Sequence, residues 1–186
     1  MLKSRLCIAF FAFAVGCAPA QKPLTDYVNP MLGTATLWDS VDLGFKPTKR
    51  TWGAEVFPGS SLPNAMVQVS PVTKFHSGAG YQYEDSVIYG FTHTNKGHWN
   101  LCHIPLLPVT GTPTPGDYCS PFSHERESAA PGYYQVFLDR YGVDAQLSST
   151  LRCAFHKYTY PAGAAPAVLA DCLLYTSPSP RDTERS

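Results

Sequence analysis

Three groups of side chains in this 186-residue sequence are of types that could do chemistry. The first is a set of imidazoles with a thiol, His93, His98, Cys102 and His103, all in one short stretch. Zinc would want four nitrogen or sulfur ligands in a tetrahedral arrangement. This spacing matches no finger or ribbon pattern, and no Cys-x-x-Cys supports it, so hydrogen-bonded loop residues are the simpler reading. The second group is carboxylates: Asp39, Asp42, Glu55, Glu84, Asp85 and Asp117. Glycoside hydrolysis would need two of them, roughly 6.5–9.5 Å apart for inversion or roughly 5–5.5 Å for retention. Nothing in their spacing singles out a pair. The third is Ser123-His124-Glu125. Adjacent residues on a strand point to opposite faces, so such a serine could not meet its base. No Gly-x-Ser-x-Gly elbow is present either. The string Glu125-Arg126-Glu127 reads as a polar strand or loop with local charge pairing.

Trp99, between His98 and Asn100, is more informative. A sugar presents an apolar C–H face that stacks on an indole, and its hydroxyls need fixed polar partners. An aromatic beside polar side chains on a loop meets both demands. A tryptophan tucked into a core is the competing reading, and it applies equally to Trp38 and Trp52.

These residues need a frame. Eleven Tyr and 10 Phe, with 17 Pro and 14 Gly punctuating the chain, favour many short strands over helices. The strands read from pattern are 65–70, 81–84, 87–92, 104–110, 133–139, 144–150, 152–160 and 167–171. Tyr134, Val136 and Leu138 alternate with Tyr133, Gln135 and Phe137, and Val143, Ala145 and Leu147 do the same after Arg140-Tyr141-Gly142, a hairpin connection. Period-two alternation predicts an all-β fold, an antiparallel β-sandwich with one face of each sheet buried. Two stretches break the rhythm, 33–59 and 94–103, and long loops on a rigid sandwich are where function is placed.

The charge balance, 14 basic against 14 acidic residues, leaves no basic stripe and argues against nucleic acid as a partner. Residues 1–20 have the layout of a signal peptide: Lys3 and Arg5, then an apolar run too short to span a bilayer as a mature helix. Two processing routes compete. Ala18-Pro19-Ala20 is a small-x-small cleavage site, and Ala14-Val15-Gly16-Cys17 resembles a bacterial lipoprotein box that would leave an acylated Cys17. Either route predicts a secreted, periplasmic or outer-membrane lipoprotein of a bacterium, with membrane contact only through a lipid anchor. At the other end, Cys172 to Asp182 looks like a translated sequencing adapter, so 172–186 is expected to be an artefact and 24–171 the natural domain. Setting aside Cys7, Cys17 and Cys172 leaves Cys102, Cys119 and Cys153, and three cysteines cannot all pair within one chain.

Several blocks, in order, carry a family resemblance. Asp26-Tyr27-Val28-Asn29-Pro30-Met31-Leu32-Gly33-Thr34 resembles the opening of glycoside hydrolase family 92, the calcium-dependent exo-acting α-mannosidases. So do Val56-Phe57-Pro58-Gly59-Ser60-Ser61-Leu62-Pro63 and the Met66–Pro71 run. Gly80-Tyr81-Gln82-Tyr83, Ile88–Thr94, Phe122-Ser123-His124, Pro131-Gly132-Tyr133-Tyr134 and Leu147–Pro161 follow. The resemblance implies the N-terminal β-sandwich of an enzyme whose second domain is an (α/α)6 barrel, with the active site between the two. It implies inverting hydrolysis of terminal α-mannosides in glycans. The catalytic carboxylates and most Ca2+ contacts would lie in the barrel, so none is assigned to this chain, which is expected to be inactive alone. Phe57, His93, His98 and Trp99 are the residues expected to form part of the sugar-binding wall. Asn95–Cys102 and Trp52–Glu55 depart from the family pattern and mark a divergent subgroup. The side facing the barrel is expected to be an exposed apolar patch. A stand-alone carbohydrate-binding module is the alternative reading.

Overall fold

A computed structural model describes residues 22–36, 56–73, 78–94, 104–113 and 116–171. Cys17, Trp38, Trp52, His98, Trp99, Cys102 and the 172–186 tail lie outside the described residues.

Eleven strands are present among the described residues: β1 Ser60–Ser61, β2 Gln68–Val72, β3 Val87–Ile88, β4 Gly90–Thr92, β5 Leu106–Thr110, β6 Ser120–Pro121, β7 Glu127–Ala130, β8 Tyr133–Leu138, β9 Val143–Ser149, β10 Ala154–Thr159 and β11 Pro166–Ala170. They form a five-stranded sheet ordered β1-β2-β4-β5-β11, a four-stranded sheet ordered β10-β9-β8-β7, and a small β3-β6 pair. Every pairing is antiparallel. The two large sheets share one core, in which Val69, Phe91, Leu107 and Val109 of the first meet Tyr134, Val136, Leu138, Val143, Ala145 and Leu147 of the second. The expected antiparallel β-sandwich is the fold.

Alternation is cleanest in β8 and β9. Their register pairs Tyr134 with Leu147, Val136 with Ala145 and Leu138 with Val143, so all six inward residues fall on one face. The outward face is polar, and Gln135 donates to Asp144 at 2.8 Å across the strands. The expected hairpin joins them. Gly142, at φ 64°, returns its N–H to Leu138 O at 2.8 Å, a left-handed conformation that favours glycine. The two edge strands at the far side behave differently. β10 shows its outer face to solvent, with Phe155 68% exposed. β11 pairs only with β5 among the described strands, and Val168 is half exposed.

The pattern reading needs four corrections. Residues 81–84 form a turn rather than a strand. Residues 87–92 are two strands in different sheets, divided at Tyr89. β1 and β6, each two residues long, fall below any periodic signal. Glu127 opens β7, and its side chain is 1% exposed instead of pairing locally at the surface. Its carboxylate accepts from the Tyr81 hydroxyl at 3.0 Å and the Tyr134 hydroxyl at 2.5 Å, and it faces His124 Nδ1 at 2.5 Å. His124 Nε2 faces the Tyr83 carbonyl at 2.7 Å, so it must donate there. One proton is therefore shared between His124 Nδ1 and Glu127, and the pair is neutral overall. Tyr83 stacks on the His124 ring, with centroids 4.0 Å apart. Burial and the carboxylate together push both tyrosine hydroxyls well above the ordinary tyrosine range, so they remain donors.

This network should be the most sensitive polar point of the domain. Glu127→Gln is expected to cost about 3–5 kcal/mol in chemical denaturation, because it leaves two buried hydroxyls and a partly exposed imidazole with a poorer acceptor. Tyr134→Phe, which removes one donor, should cost about 1–3 kcal/mol. A loss under 1 kcal/mol for Glu127→Gln would show the site to be wet instead of buried.

Candidate functional site

The topology gathers several loops at one end of the sandwich. β2 starts there, β4 ends there and β5 starts there, as the registers Ser70↔Thr92 and Phe91↔Leu106 require. The β9–β10 turn joins them: Ser60 Oγ and Ser149 Oγ lie 2.7 Å apart, and Met66 N–H donates to Leu151 O at 2.8 Å. The chain leaves β11 at the same end, where Asp171 N–H donates to Pro105 O at 3.2 Å. This end is apolar as well as loop-rich. Leu62, Met66, Ile104 and Leu151 are 37%, 73%, 62% and 54% exposed. Singly exposed apolar residues need no explanation, but a group on one end marks a contact surface.

Phe57 sits beside that end, half-buried against the core. It lines an open cleft of about 490 Å3 with Val28, Pro30, Ser61, Gln68 and Gly132 among its walls. The cleft offers an aromatic face and two polar side chains, the composition that a sugar ring requires. Its geometry depends on Gly59. A Cβ there would stand 1.9 Å from Val69 O and 2.6 Å from Ser70 Cα, so only glycine lets β1 lie this close to β2. The Pro58-Gly59-Ser60 string is thus a steric requirement of the cleft wall.

His93 follows β4 directly. Its Nδ1 lies 3.1 Å from Ile104 O, and its Nε2 lies 3.0 Å from Nε2 of His156 on β10. His156 Nδ1 lies 2.7 Å from the Tyr158 hydroxyl. Burial lowers His93, and burial with the neighbouring His93 lowers His156 to about 4. Ile104 has φ 48°, a left-handed conformation unusual for a β-branched residue. Thr94 Oγ1, next in the chain, is buried without a hydrogen-bond partner among the described residues. Of the expected wall residues, the structure thus describes Phe57 and His93; His98 and Trp99 fall in the segment outside it. Phe57 lines the cleft, while both ring nitrogens of His93 are held by protein partners.

The other candidates resolve simply. Ser123 Oγ caps a short 3-10 turn by accepting from Glu125 N–H at 3.3 Å, and His124 is committed to Glu127 and Tyr83. Asp117 pairs with Arg140 at 2.8 Å, and Asp139 with Arg126. Cys119 and Cys153 are free thiols. The sequence pattern missed Glu127 and the role of His156. The available signal was that Tyr81, Tyr83, His124 and Tyr134, and likewise His156 and Tyr158, all fall in the quoted motif blocks.

A pH dependence follows from the histidine pair. His156 titrates near 4 when folded and near 6.5 when unfolded, so between those values the unfolded chain binds the extra proton. The stability from the neutral ring is complete above about pH 6.5 and is lost as pH falls toward 4. Melting temperatures of the wild type and His156→Gln, compared from pH 7 to 4, should converge on acidification. Parallel curves would show that His156 does not stay neutral.

The comparisons with known proteins agree with this architecture. The family model of the glycosyl hydrolase family 92 N-terminal domain matches residues 27–184, a span that continues past Asp171. The family 92 α-mannosidase BT3965 from Bacteroides thetaiotaomicron, solved with mannoimidazole, superposes with a TM-score of 0.63 at 31% identity, covering 75% of this chain and 18% of its own. The inverting mannosidase BT2199 from the same organism gives 0.63 at 28% identity, covering 81% of this chain and 20% of its own. No curated protein matches. The chain spans about a fifth of the length of the solved relatives that it matches. On the strength of the family model and these structures, the chain belongs to glycosyl hydrolase family 92, and what it carries is that family's N-terminal domain.

Proposed function

We propose that this chain is the substrate-contacting N-terminal domain of a secreted or lipid-anchored α-mannosidase that releases terminal mannose from glycans with inversion, and that it is inactive by itself. The observation that carries this reading is the match to the N-terminal domain of a mannosidase family, joined to an apolar loop end beside an aromatic-walled cleft. Inversion needs an acid to protonate the departing oxygen and a base to activate water on the opposite face. Four of the described carboxylates are already committed within the domain. Glu127 is held by three donors, while Asp117, Asp139 and Asp144 pair with Arg140, Arg126 and Gln135. The family resemblance, rather than these contacts, assigns the acid and base to the barrel that would complete the enzyme.

This chain's own contribution is shape and contact. Phe57 offers a face for the apolar side of the sugar, and His93, His98 and Trp99 are the further residues proposed to contact it. Calcium is implied for the complete enzyme. Among the described residues no group of three His, Cys, Asp or Glu side chains comes together, and no calcium ligand is assigned to them. No step within this domain is routed through the ion.

The test is to express the complete reading frame and follow an α-linked mannoside by NMR. β-Mannose should be the first product, and the isolated chain should release none. Hydrolysis by the isolated chain, or failure of the complete enzyme on every α-mannoside, would overturn the reading. In the complete enzyme, Phe57→Ala and Trp99→Ala should each lower kcat/KM by about tenfold or more. Isothermal titration of the isolated chain with mannosides should show no binding; saturable binding would favour a stand-alone carbohydrate module. Mass spectrometry of the mature N-terminus distinguishes acylated Cys17 from cleavage after Ala20.

A further inference from the structure

In sequence, the nearest imidazoles and thiol to His93 are His98, Cys102 and His103. The fold gives it a different partner. His93 directly follows β4 of the five-stranded sheet, and His156 stands in β10 at the edge of the four-stranded sheet. Their Nε2 atoms meet 3.0 Å apart. Both residues are half-buried, so the pair is held by the core and still reachable from solvent.

Each ring is anchored through its other nitrogen. His93 Nδ1 lies 3.1 Å from Ile104 O, and His156 Nδ1 lies 2.7 Å from the Tyr158 hydroxyl. A carbonyl accepts, and a hydroxyl both accepts and donates. Both Nδ1 atoms can therefore carry the ring proton at once, which leaves a lone pair on each Nε2. This is the outer-shell pattern of a metal-bound histidine, whose second N–H donates to an oxygen acceptor. Packing fixes the rings as well. Phe91, fully buried on β4, meets His156 edge-on and stacks with Tyr158, each with centroids 6.4 Å apart.

The spacing suits an ion. Two nitrogens bound to one tetrahedral zinc at about 2.0–2.1 Å stand roughly 3.3–3.4 Å apart. The observed 3.0 Å needs only a small turn of either ring to reach that. The ring centroids lie 4.9 Å apart, less than a straight head-on contact would give, so the contact is bent. A hydrogen bond prefers a straight N–H···N line, whereas two lone pairs aimed at one ion require a bend.

From this geometry we propose that His93 and His156 form a binding site for a divalent transition-metal ion, Zn2+ or Cu2+, which joins the two sheets at the loop end of the sandwich. Imidazole is a ligand that suits both ions. Calcium takes oxygen ligands, so this ion is distinct from the calcium implied for the complete enzyme. The chain supplies two ligands and water completes the coordination, so the ion binds reversibly. Without it, one Nε2–H donates to the other Nε2. On binding, that proton passes to Nδ1 of the same ring, and no net proton is released. The site does not depend on the proposed function.

The experiment uses the complete enzyme kept in calcium, so that its oxygen-ligand sites stay filled. Zn2+ is titrated by calorimetry, and Cu2+ is followed by electron paramagnetic resonance. The wild type should bind one saturable equivalent of Zn2+ that His93→Ala and His156→Ala each lack. Zn2+ should raise the Tm of the wild type and of neither variant. Bound Cu2+ should show two imidazole nitrogens in the wild type. Tyr158→Phe keeps both ligands but removes the oxygen behind His156, and should weaken binding by about tenfold. No saturable binding, binding that survives both alanine substitutions, or loss in only one of them overturns the site. Should an alanine variant not fold, the wild-type Cu2+ spectrum and Tyr158→Phe decide: fewer than two nitrogens, or unchanged affinity in Tyr158→Phe, rejects it.

Discussion

The carboxylate of Glu127 is the constraint around which this domain is arranged. An ionisable group with 1% of its side chain exposed must be matched from several directions at once. Here the match comes from separate parts of the chain: Tyr81 from the turn before β3, His124 from the 3-10 turn before β7, and Tyr134 from β8. None of these segments can move without leaving a buried polar group unsatisfied. That ties the irregular turns to the regular four-stranded sheet. It also sets where β7 begins, and with it the Ala130–Gly132 wall of the cleft. Apolar packing supplies most of the free energy of a core such as this one, but it does not specify which turn sits where. The carboxylate and its donors do.

Much of the fold was legible because burial in an antiparallel sheet has period two. β8 and β9 alternate strictly, and their hairpin has a glycine where the backbone needs a left-handed residue. The sandwich class followed from those strands and the spacing of Gly and Pro. What could not be read has equally physical reasons. A two-residue strand such as β1 has no period. The split between β3 and β4 depends on Gly90 and on which sheet each strand joins, a tertiary choice. Glu127 was mistaken for a surface charge because it sits in Glu125-Arg126-Glu127, and charged neighbours normally indicate solvent. Only the three-dimensional meeting of its donors makes burial tolerable.

The site was legible in a different way. Phe57 was singled out from its place in a motif, and the cleft it lines gives that choice a physical basis. His93 was chosen for loop chemistry, and the structure shows both its nitrogens engaged by protein partners. His156 and Tyr158 were noted in the Leu147–Pro161 block, but no role could be read for them there. Sequence spacing cannot relate positions 93 and 156, which meet only because β10 folds over β4. The motif blocks therefore encode two things together, contacts for a ligand and contacts that hold the domain in shape. Residue type alone does not separate them.

The outer edge of β11 has a consequence for how this domain behaves as a separate molecule. Pro166-Ala167-Val168-Leu169-Ala170 is uncharged, and no described strand pairs with its far side. Sheet edges of natural proteins are usually blunted by lysines, bulges or cover, and here Pro166 is the single gatekeeper. An edge of this kind is a template. Two copies can add strand to strand and continue the five-stranded sheet across a dimer, and open-ended addition gives fibrils by the same bonds. The region that a neighbouring part of the polypeptide would shield is thus also the one from which self-association of the isolated domain would start.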